Sequence, residues 1–174
     1  MFLSLLFFIL GILFFGYQES WIIINIPQTS IWQNLQKPQP MHMNVKLWAF
    51  KNNQWIQEIK QIIKTNDTAQ TIQNLLNSWF LFLEEEHIIS KTITIESVVL
   101  SPTQKLAFIS LTHNPFMPHV STYECLMLIE SIVKTLRENN IQLQSIQLLI
   151  RHTPWHDHRL NMEIPWPLSG YIAT

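Results

Sequence analysis

The sequence predicts an α+β fold: a two-layer sandwich in which two helices cover one face of a mainly antiparallel sheet. Three observations lead there. Short runs with alternating or β-branched apolar residues occur at 44–50, 91–100, 105–112 and 143–150. Two longer segments, 66–87 and 121–140, instead carry apolar residues at helical spacing behind residues suited to capping. Read in order, with a returning arm after the first run, the elements are β-β-α-β-β-α-β, and two helices of this length can cover one face of such a sheet.

Each element has its own local reason. In "NVKLWAF" Val45, Leu47 and Ala49 alternate with Lys46, Trp48 and Phe50, and "KNNQW" follows as a turn. The returning arm, "WIQEIKQII", reads as a strand or equally as a short helix. In the next segment Asn66 or Asp67 can cap, and Ile72, Leu75, Leu76, Trp79, Phe80 and Leu83 form one stripe. The acidic run Glu84 to Glu86 opposes the dipole at that helix's C-terminal end, either as a binding feature or as a solvated end. "KTITIESVVL" and "KLAFISLT" flank "SPTQ", whose proline suits the second position of a turn. Ser121 or Thr122 then caps a helix with Leu126, Ile129, Val133 and Leu136 on its apolar face, and "LQSIQLLI" returns as a strand.

Outside this domain the composition changes. Residues 2–17, "FLSLLFFILGILFFGY", are uncharged and nearly all apolar, which predicts an N-terminal transmembrane or signal helix within a 1–26 segment, with Trp21 at an interface position. A basic n-region and a small-x-small cleavage motif are absent, which favours an uncleaved single-pass anchor, and no cysteine follows to accept lipid. The first lysine is Lys37, so orientation is weakly marked; the expectation is an extracytoplasmic C-terminal part at the cytoplasmic membrane. Residues 27–43, with three prolines, read as a linker, 44–151 as the folded domain and 152–174 as a His/Trp/Pro-containing tail. In that tail Trp166 lies between two prolines, a pattern suited to packing over the domain's own apolar surface.

Charge and rare residues exclude several function classes. Eleven Lys and Arg against twelve Asp and Glu, scattered along the chain, provide no field for nucleic acid. Three glycines in 174 residues, with neither GxGxxG nor GxxxxGK, exclude the usual phosphate-cradling loops. The single cysteine, Cys125, allows no internal disulfide and falls on an apolar helix face, where a thiol is inert packing rather than a nucleophile; GxSxG and HExxH are absent.

The globular part, about 45–150, resembles the GerM-type sporulation and spore-germination domain, the GerMN domain. The resemblance lies in "VKLWAF" with its returning arm, in "IQNLLNSWF", in the strand pair "ITIESVVLSPTQKLAFISLT", and in "LIESIVKTLRENNIQLQSIQLLI", a helix running into the last strand. "SPTQ" replaces a glycine-containing turn, "LFLEEEH" replaces the family's helix end, and the segment after Ile150 has no counterpart. The resemblance implies a noncatalytic module of bacterial envelope proteins, at the outer face of the cytoplasmic membrane. Envelope proteins are then its partners, homo-oligomerisation is open, and no cofactor or catalytic residue is carried over.

One cluster offers different chemistry. "RHTPWHDHR" spaces His152, His156 and His158 so that a strand would point all three imidazoles one way, a candidate site for zinc, copper or nickel. That alternative makes the chain a metal-binding envelope protein or a metal-assisted hydrolase. Pro154 interrupts regular hydrogen bonding, so the plainer reading is an exit loop between the last strand and the tail.

Overall fold

In the computed structural model the described residues, 41–170, all lie within the compact unit Gln39–Thr174. The expected membrane segment and most of the linker lie outside the described residues, as does Tyr171. Among the described residues no helix is long and apolar enough to cross a membrane.

Strands β1 (Met41–Lys51) and β2 (Gln54–Lys64) form an antiparallel hairpin, in register from Met41↔Lys64 to Lys51↔Gln54. Its two-residue turn, Asn52–Asn53, has φ of 52° and 61°, the left-handed pair that matches strand twist and that asparagine tolerates. The returning arm is therefore a strand throughout. Met41 to Met43, expected in the linker, are strand because they find Ile62 to Lys64 opposite.

Helix α1 (Thr68–Glu85) starts at Asp67, whose carboxylate accepts from the Ala69 amide at 2.9 Å. Ile72, Leu75, Leu76, Trp79, Phe80 and Leu83 are all buried, and Phe82 widens the stripe. Helix α2 (Thr122–Glu138) opens with a capping box: Ser121 Oγ accepts from the Glu124 amide, and Glu124 Oε2 accepts from the Ser121 amide at 2.8 Å. Those hydrogen bonds hold the Glu124 carboxyl below its ordinary range. Ile129, Val133 and Leu136 are buried as expected, Leu126 is only half-buried, and Cys125 and Ile132 complete the face. Both helices end at left-handed residues, His87 (φ 56°) and Asn140 (φ 55°), positions that a glycine-poor chain fills otherwise.

The remaining strands are β3 (Ile95–Leu100), β4 (Leu106–Leu111), β5 (Ser145–Ile150), β6 (Thr153–Pro154) and β7 (Trp166–Pro167). They form a five-stranded mixed sheet in the order β3-β4-β5-β6, with β7 also on β5. β4 and β5 are parallel, since α2 returns the chain to the same end, and the other pairs are antiparallel.

The α+β class and the element order match expectation, but the single mainly antiparallel sheet does not: hairpin and sheet are separate. The cause lies at the edge of β1. There Asn139, the C-cap of α2, accepts from the Lys46 amide at 2.9 Å and donates to the Lys46 carbonyl at 2.7 Å, as a neighbouring strand would. Thr135 Oγ1 accepts from the Trp48 amide at 3.0 Å, and Trp79 Nε1 of α1 donates to the Trp48 carbonyl at 2.7 Å. Helix side chains thus occupy the edge that β3 would need. At the other sheet, Asn77 and Gln73 of α1 take the amide and carbonyl of Ile95 at 2.8 and 3.0 Å. One core joins both sheets and both helices, with Val45, Leu47, Ala49, Ala107, Ile109, Leu111, Ile146 and Leu148 facing the helix stripes.

Thr135→Val keeps the shape of a fully buried side chain but leaves the Trp48 amide unpaired, so it should lower unfolding stability by about 1–3 kcal/mol. Denaturant unfolding followed by tryptophan fluorescence checks this, with exposed Gln142→Ala expected within about 0.5 kcal/mol of the parent.

Candidate functional site

The histidine segment is a tight hairpin rather than an irregular exit. Leu149↔Pro154 and Ile150↔Thr153 pair across a two-residue turn, Arg151–His152, with φ of 49° and 63°. Pro154 fits because β6 lies at the end of the sheet order. Non-glycine residues in this conformation cost about 1–2 kcal/mol each, so neighbours must hold them. The Arg151 amide donates to the Leu111 carbonyl at 3.0 Å, its Nε to the Thr112 carbonyl at 3.2 Å, and the His152 amide to buried Ser110 Oγ at 2.8 Å. Ser110 in turn donates to Glu96 Oε2 at 3.0 Å. A register shift between Ile95 and Ser97 lies beside that carboxylate.

The three imidazoles go to different places. His152 has Nε2 3.5 Å from Glu96 Oε2 and Nδ1 3.4 Å from Ser97 Oγ. His156 Nδ1 lies 2.8 Å from Glu163 Oε1 on the exposed surface, and His158 is exposed. Among the described residues no group of three or more His, Cys, Asp or Glu side chains is arranged to hold a metal ion. Cys125 is fully buried and its thiol is pushed up by that burial; His113 and His119 are exposed.

What the segment does hold is the chain end. Asp157 Oδ1 accepts from the Arg159 amide and Nε at 2.9 and 3.0 Å, and Oδ2 from Nη2 at 2.8 Å, with both side chains at most 10% exposed. Arg159 Nη1 donates to the carbonyls of Met117 and Val120, each at 3.1 Å, joining the tail to the loop before α2. Trp155, Met162, Trp166 and Leu168 enter the core, and Gln147 Nε2 donates to the Met162 carbonyl at 2.6 Å. Gly170 (φ 78°) closes against α2, where a Cβ would lie 2.7 Å from Glu130 Oε2. Residues 152–170 of the expected tail thus pack onto the domain's own apolar surface and complete its core.

The acidic run is also structural. Glu84 accepts from Thr92 Oγ1 at 3.0 Å, Glu85 pairs with Lys60 at 2.6 Å, and Glu86 with Lys51 at 2.8 Å. Two of these bonds return to the hairpin.

Among the described residues, two open surfaces lie at the hairpin. One is a cleft of about 350 Å³ between the hairpin tip and the start of α2, lined by Phe50, Ile88, Phe116, Met117, Tyr123 and Met127. The other is the outer edge of β2. In the register, Lys46 and Trp48, whose backbone groups turn away from β2, oppose Ile59 and Gln57. Their partners must turn outward too, so Trp55, Gln57, Ile59, Gln61 and Ile63 present backbone groups at the free edge. Asn74 Nδ2 donates to the Ile63 carbonyl at 3.0 Å, as this geometry requires. Among the described residues this edge has no strand partner, and Ile59 is 63% exposed and Ile63 46%. The sequence alone does not say which sheet edge is free, because a returning arm of undecided helix or strand character has no predictable free side.

Arg159 holds the Asp157 carboxyl below its ordinary value of 3.8, so the pair's contribution is present above that pH and lost as pH falls through the lower folded value. Asp157→Asn should cost about 2–3 kcal/mol near neutrality, and its stability gap from the parent should shrink below about pH 4. Denaturant titrations across pH measure the gap.

No known family pattern matches the chain, and no curated protein matches it. Among solved structures, a Clostridium perfringens protein described as a "Putative Lipoprotein" is similar, at 15% identity and a TM-score of 0.48 over 73% of this chain and 87% of that one.

Proposed function

We propose that the chain is a membrane-anchored module of the bacterial envelope that scaffolds a protein complex and performs no reaction of its own, as its resemblance to GerMN domains implies. The observation that carries this reading is the open edge of β2, an 11-residue strand whose outward backbone groups and exposed isoleucines suit strand addition by a partner. Residues 2–17 supply the anchor, and the domain stands on the extracytoplasmic side.

The test uses the full chain in membranes, with a photoreactive side chain at Gln57 on the open edge or at exposed Gln142 away from it. Adducts with envelope proteins should form from Gln57, and Ile59→Lys, which places a charge on the edge, should diminish them about tenfold. Equal adducts from Gln142, or adducts indifferent to the charge, overturn the reading.

A further inference from the structure

We propose that the open edge of β2 pairs with the same edge of a second copy of this chain, antiparallel and about a two-fold axis through Ile59, joining two hairpins into a four-stranded sheet. The inference rests on the reading of that edge as a contact surface, and it names the partner.

The register follows from parity and charge. Only odd-numbered residues of β2 present backbone groups outward, so an antiparallel mate must set odd against odd. Of the two-fold axes this parity allows, those through Glu58, Ile59 or Lys60 keep the most residues of the strand paired. An axis through Glu58 opposes that carboxylate to its own copy, and one through Lys60 opposes two ammonium groups, each unfavourable at cross-strand distance. The axis through Ile59 instead sets Glu58 against the partner's Lys60 and Lys60 against the partner's Glu58, in the closer class of cross-strand pair.

The remaining pairs also match. Ile59 meets the partner's Ile59, covering a side chain that is 63% exposed in the single chain. Gln57 meets the partner's Gln61, with complementary amides, and the pairing ends there because Asn74 already donates to the Ile63 carbonyl at 3.0 Å. Lys60 keeps its 2.6 Å contact with Glu85, and exchanges a 3.6 Å contact with its own Glu58 for the partner's. Its ammonium has donors enough for both.

Cysteine crosslinking of the full chain in membranes reads this register directly. Native Cys125 is fully buried, so the parent chain is the blank. Ile59→Cys should form a disulfide dimer under mild oxidation, since directly opposed residues have Cα atoms about 5.5 Å apart. Gln57→Cys alone should give at least about tenfold less, because four residues of offset place its copies about 13 Å apart. Gln57→Cys mixed with Gln61→Cys should restore the dimer. All three positions are exposed, and the parent's circular dichroism and melting should be kept.

No dimer from Ile59→Cys, or equal dimer from Gln57→Cys alone, overturns self-pairing. If Gln57 photoadducts with other envelope proteins persist in that case, the scaffolding role stands and only the partner is wrong. A register-specific dimer without such adducts supports self-pairing and removes the wider scaffold.

Discussion

The architecture depends on how the second helix closes the edge of the first strand. Asn139 and Thr135 give Lys46 and Trp48 the hydrogen bonds a neighbouring strand would give, and Trp79 adds a donor from the other helix. A buried backbone group left unpaired costs as much as a lost hydrogen bond, so these side chains complete β1 without a third strand. The hairpin is then held to the rest of the domain by helix contacts and a shared apolar core. Lys134 of the same helix lies over the rings of Trp48 and Trp55, at 4.4 and 5.0 Å, and fastens the hairpin's outer face as well.

The C-terminal segment applies similar logic to β5. β6 and β7 pair with opposite ends of that strand, at Leu149–Ile150 and Ser145–Ile146, while Gln147 between them is satisfied by the Met162 carbonyl. The Asp157–Arg159 pair then ties this wrap to the loop before α2, with Arg159 5.2 Å from the Phe116 ring and Trp155 beside it at 4.6 Å. Histidines close in sequence diverge here because a tight turn and a buried ion pair set the path. His152 and His156 each face a nearby carboxylate, Glu96 and Glu163.

These closures leave an asymmetry with functional meaning. β1 is sealed by helix side chains, β5 by the wrapped chain end and the start of β3 by Asn77 and Gln73, whereas among the described residues β2 has no strand at its outer edge and an exposed isoleucine at its centre. Long edges of this kind are usually blunted by bulges, prolines or charged side chains. In β2 the charges, Glu58 and Lys60, sit on the face shared with α1, where Lys60 reaches Glu85. The exposed isoleucine at the centre of this edge suits the assembly role proposed above.

Helix stripes, caps and strand runs were legible in the sequence because they depend on neighbours within a few residues: Asp67 and Ser121 cap, and Ile72 through Leu83 fall on one side. The α+β class and the order of the main elements followed from the same local information. The split into two sheets was not legible, because it turns on Asn139 meeting Lys46 across 93 residues, and a polar residue at a helix end gives no sign of its partner. Glu84 to Glu86 likewise showed an unfavourable dipole contact in sequence, and only the fold brought Lys51, Lys60 and Thr92 to them. The sequence by itself determined both helices and most of the strand runs; the tertiary structure decided the returning arm, the two short strands β6 and β7, and which edges are closed, because hydrogen-bond partners for strand edges come from residues distant along the chain.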